Sequence, residues 1–139
     1  MKKTVFTLIA SLLLSSLVFA HGEEKPGPHG GFIRMPGAFH TELVPDSDVE
    51  FKMYLLDVNW QNPSVKDSAV DIKIMNESTS AAVSCKQGVD FFQCQLVKGF
   101  TLEKGKLSVK ASREKAIGGK VFYNLPLSFD SDGGRGPHE

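Results

Sequence analysis

The chain has 139 residues, in which 16 Lys and Arg balance 16 Asp and Glu. That length suits one domain, and the balanced charge gives no support to nucleic-acid binding, whose usual sign is an excess of basic residues. Past the N-terminal leader, no apolar run is long enough to cross a bilayer.

The opening residues 1–20 set Lys2 and Lys3 before a leucine-rich stretch that ends in Val18-Phe19-Ala20. This is the pattern of a secretory signal peptide, and the expected location is periplasmic or secreted. Cleavage after Ala20 makes His21 the first residue of the mature chain. Its free amine and its imidazole Nδ1 can then close a six-membered chelate ring on a metal. Residues 21–38, HGEEKPGPHGGFIRMPGA, are rich in glycine and proline. Such residues lose amide donors or resist ordering, so an irregular arm is expected here rather than a helix or a central strand.

From residue 39 onward the apolar residues alternate with polar ones over seven short runs: 39–44, 49–57, 69–76, 80–86, 91–97, 106–112 and 120–129. A period of two marks half-buried strands. Turn signals separate the runs, among them Pro45-Asp46-Ser47-Asp48, Asn62-Pro63, Gly88 and Gly118-Gly119. No run has a helical repeat. The expected fold is therefore all-β: an immunoglobulin-like antiparallel β-sandwich of about seven strands over 39–129. An irregular arm precedes it, and a disordered tail at 130–139 follows it. Cys85 and Cys94 flank a turn near Gly88, so an exported chain is expected to join them in a disulfide across a hairpin. Paired thiolate metal ligands are the alternative, at a spacing longer than C-x-x-C.

Three histidines, His21, His29 and His40, fall within twenty residues of one another. Imidazole is a common ligand for copper, zinc and nickel, and an all-nitrogen set suits Cu(II). Met35 offers either a soft thioether ligand or simple packing. Glu42 follows His40 by two residues, so both side chains leave the same face of a strand. Its carboxylate is a candidate ligand, an acceptor that orients a ligand, or a solvated charge. His138 stands alone in the tail. There is no G-x-S-x-G, H-E-x-x-H, P-loop or G-x-G-x-x-G motif, so enzymatic activity is not expected.

The string PGPHGGFIRMPGAFHTELVPDSDVEFKMYLLDVN, with its P-H-G-G, H-x-E-L and Y-L-x-D segments, resembles small exported heavy-metal-handling proteins, chiefly for copper, of the YtkA/FixH-like β-sandwich style. The resemblance covers about residues 26–75. It implies that His29 and His40 are ligands. It departs from the pattern at VNWQNPSV after Y-L-x-D and in the cysteine pair. The expected function is copper buffering, storage or delivery through His21, His29 and His40, with zinc or nickel as alternative metals. A metal-efflux or metal-delivery protein is the expected partner. Two other readings compete: an envelope structural or interaction module without a metal, and a histidine-brace copper oxidative enzyme.

Overall fold

The computed structural model describes residues 25–129. The expected signal peptide, His21 and the expected tail with His138 therefore lie outside the described residues. The alternating runs form strands, and no helix is present among the described residues. β1 (Phe32–Arg34), β2 (His40–Pro45) and β3 (Glu50–Leu56) make an antiparallel meander. β4 (Ala69–Asn76) and β5 (Thr79–Ala82) form a hairpin. A second hairpin follows in β6 (Ser84–Gln87) and β7 (Phe92–Gln95). β8 (Gly105–Arg113), β9 (Ala116–Ile117) and β10 (Val121–Leu125) close the chain. The strands build two five-stranded antiparallel sheets, one in the order β1-β2-β3-β7-β6, the other β10-β8-β4-β5 with β9 also on β8.

The seven expected runs become ten strands for three local reasons. Residues 32–34 of the arm, expected to be irregular, pair with β2 as its edge neighbour. The 80–86 run splits at Val83, whose amide donates to Ile72 O before the chain crosses to the other sheet. Glu114 and Lys115 both take left-handed φ angles, 47° and 71°, and fold β9 back on β8.

One face of each sheet turns inward. Leu43, Phe51, Met53 and Leu55 meet Ile72, Ile74, Leu107 and Val109 in a fully buried core. Polar side chains close one edge of it. Arg34 Nε donates to Phe122 O at 2.8 Å, and the guanidinium lies 4.5 Å over the Tyr123 ring. The Tyr123 hydroxyl meets Thr41 Oγ1 at 2.7 Å, tying β2 to β10. Burial pushes the Tyr123 phenol well above its ordinary pKa, so it stays neutral and free to donate.

Cys85 and Cys94 face each other across β6 and β7 and are joined, with Cα atoms 4.1 Å apart. The bridge links residues nine apart. Closing so short a loop in the unfolded chain is worth about 2.5 kcal/mol in the chain-entropy model. The C85S/C94S double variant is accordingly expected to unfold at lower urea with an unchanged fold. Equal urea midpoints for variant and parent would mean that the bridge contributes nothing.

Candidate metal centre on the outer face of the first sheet

The outer face of the β1-β2-β3 meander is not solvated like an ordinary sandwich face. Ile33, Tyr54 and Leu56 are buried there, with Val44, Trp60 and Phe91 packed against them. The arm covers part of this second small core, with Gly27 against Ile33 and His29 on Tyr54. Gly27-Pro28-His29-Gly30-Gly31 makes a tight turn in which Gly30 N donates to Gly27 O and Gly27 N to Gly31 O, both at 2.9 Å. Pro28 presets the bend, and Gly30 takes φ +77°, a region open to glycine at no steric cost. Gly31 lies flat on the sheet. A Cβ there would stand 2.5 Å from Leu43 O.

This turn delivers His29 onto Glu42. The Glu42 side chain is wholly buried, and its Oε2 accepts His29 N at 2.8 Å and Gly31 N at 3.0 Å. Its Oε1 lies 2.6 Å from His29 Nδ1. A carboxylate only accepts, so Nδ1 is the donor in this contact and Nε2 stays outside it. The imidazole stacks on Tyr54, with centroids 3.7 Å apart and planes 4° off parallel. Burial, with Asp90 adding to it, raises the Tyr54 phenol above its ordinary pKa, so the stacking platform is uncharged.

His40 leaves β2 on the same face as Glu42, two positions away, or roughly 7 Å along the strand. Its Nδ1 lies 3.0 Å from Asp57 O, an atom that only accepts, so here too Nδ1 is the donor and Nε2 stays outside the bond. The ring meets Trp60 edge-on, with centroids 5.9 Å apart. The 57–62 loop sets that contact. Asp57 Oδ1 accepts Asn59 N and Gln61 N, and Oδ2 accepts Asn62 Nδ2. These bonds, Gln61's foremost and then Asn62's, hold the Asp57 carboxyl below its usual range. Trp60 sits at φ 60°, a position uncommon for a bulky residue.

The expected site residues thus separate into groups. His29 and Glu42 are in direct contact, and His40 shares their sheet face but hydrogen-bonds to a different loop. Met35 follows β1 and is 41% exposed. His21 is outside the described residues. Among the described residues no three His, Cys, Asp or Glu side chains lie together so as to hold a metal ion. Tyr54 and Trp60, each against one histidine, are the site residues that sequence reasoning did not assign. For Tyr54 part of the signal was present, since it alternates with Glu50 and Lys52, but only the register shows it beside Glu42. The chain matches no family model, no curated protein and no solved structure.

Proposed function

We propose that this chain is an exported metal-binding protein, for copper before zinc or nickel, that buffers, stores or delivers its ion. The ligands are His29, His40 and the amine and imidazole of His21. One observation supports this above the rest: Nδ1 of each described histidine lies against a fixed oxygen, Glu42 Oε1 or Asp57 O, which leaves Nε2 as the nitrogen available to an ion. Metal-bound histidines are held in that way, and their partner is often a carboxylate. Glu42 then orients His29 rather than binding the ion, and its negative charge makes the imidazole a better donor. Two imidazoles do not complete a centre, so the third and fourth nitrogens come from His21. The resemblance of residues 26–75 to copper-handling proteins points the same way. Met35 has no part in this set.

A second reading rests on the same contacts. The His29–Glu42 bond also serves as a clip that docks the arm, and in an interaction module without a metal this is its whole purpose. Cu(II) titration of the exported protein against a competing chelator separates the two. A one-to-one complex is expected, with H29A, H40A and H21A each weakening it by more than the 10–100-fold typical of losing a supporting partner. Equal affinity in the parent and all three variants would leave only the clip.

A further inference from the structure

The outer face of the second sheet has a different character. Strand register places two full cross-strand rows on it, Phe122, Ser108 and Lys73, and Asn124, Lys106 and Met75, and pairs Lys110 with Asp71; Lys120, just before β10, lines the same groove as Lys110. Four lysines thus meet one acid, although the whole chain is balanced in charge. Lys110 and Lys120 line one groove, and like charges brought close repel. None of these lysines joins an ion pair among the described residues. Lys73, Lys110 and Lys120, with Asp71 and Ser108, line a shallow groove. Lys106 Nζ lies 4.5 Å over the Phe122 ring. Ile117, opposite Ser112 on the same face, is 81% exposed, and Phe122 is 42% exposed.

We propose that this face docks the protein on an anionic phospholipid bilayer. Charge complementarity selects the occupant. The cations are all lysines, compact ammonium heads on flexible stems that suit a mobile array of phosphates. The face has no arginine fork, which would match the carboxylates of one acidic protein partner. Ile117 and Phe122 stand out from the same plane, where an apolar side chain can enter the headgroup layer. The orientation also leaves the histidine face of the other sheet turned toward solution. The outer face of the first sheet has no such excess: Glu50 and the buried Glu42 share it with Lys52 and Lys86, and Lys52 pairs with Asp46 at its rim.

The test is co-sedimentation of the full chain with phosphatidylglycerol vesicles and with phosphatidylcholine vesicles, at low and at 1 M salt. Two variants with the same N-terminus accompany it: K73Q/K110Q/K120Q on the face, and K66Q/K98Q/K104Q on exposed loops with the same charge change. Each lysine near an anionic surface strengthens partitioning roughly fivefold. The face variant should therefore bind phosphatidylglycerol roughly 100-fold more weakly, while the loop variant stays close to the parent. High salt, with a screening length of about 3 Å, should abolish binding, and phosphatidylcholine should not bind. Unchanged thermal melts for both variants show that the loss is not unfolding. Equal loss in the two variants overturns the proposal, as does no binding to phosphatidylglycerol. Face-dependent binding to polyglutamate without vesicle binding overturns it in favour of an acidic protein partner.

Discussion

Glu42→Ala is expected to destabilise the protein by about 3–4 kcal/mol, a large share of the stability of a domain this size. Its carboxylate is wholly buried in the middle of β2 and serves as the acceptor for two amides and one imidazole of the arm. Removing it while the arm stays docked strands His29 N and Gly31 N without partners, at about 1–3 kcal/mol for each buried group. If the arm lifts instead, those donors reach water, but Ile33 and Tyr54 lose the arm's contacts. Either route is unfavourable. Glu42→Gln keeps the shape and one acceptor oxygen, so it should cost less than Ala. Urea unfolding gives the free energies, and limited proteolysis at the arm reports which route is taken. A loss below 1 kcal/mol for the Ala variant, with the arm still protected, would show that the carboxylate holds nothing. The same variants bear on the metal reading. Glu42→Gln should weaken copper binding by roughly 10–100-fold without changing its stoichiometry.

Much of this architecture was legible from alternation alone, because each side-chain face follows from strand parity. Leu43, Phe51 and Ile72 read as inward-facing and are core residues, and His40 and Glu42 read as sharing a face and do. Parity could not show what covers a face. A glutamate between apolar neighbours reads as the solvent side of a strand, yet Glu42 is buried because a segment rich in glycine and proline lies over it. The properties that marked residues 26–31 as irregular are the ones that let them turn sharply and lie close to the sheet. Two strand breaks were hidden for other reasons. The 80–86 run alternates without interruption, and only the Val83–Ile72 hydrogen bond shows where it changes sheet. The β8–β9 turn uses Glu114 and Lys115 at left-handed φ, where Asn or Gly is the usual sign. The cysteine hairpin was the easy case, since Cys85, Gly88 and Cys94 mark it by spacing alone.

Gly31→Ala should have almost the same effect through steric contact rather than charge, and this makes it the sharper test of how the arm and the sheet depend on each other. The added methyl would meet Leu43 O at 2.5 Å, Val44 Cγ2 at 2.7 Å and Glu42 Cγ at 2.9 Å. The first of these is backbone in a paired strand and has little room to move, since Leu43 is held between Phe32 and Met53. The arm must give way, and the Gly31 N to Glu42 bond and the His29 stack on Tyr54 go with it. A loss of about 3 kcal/mol is expected from overpacking together with the broken contacts. Because both variants release the same element, their effects should not add. The Gly31→Ala/Glu42→Ala double variant should lose little more than Glu42→Ala alone, a coupling well beyond the 0.3–0.5 kcal/mol scatter of independent sites. Unfolding of the two single variants and the double variant in urea completes the cycle. Simple additivity would mean that the glycine and the carboxylate act on separate parts of the molecule, and that the turn over β2 is not held by Glu42.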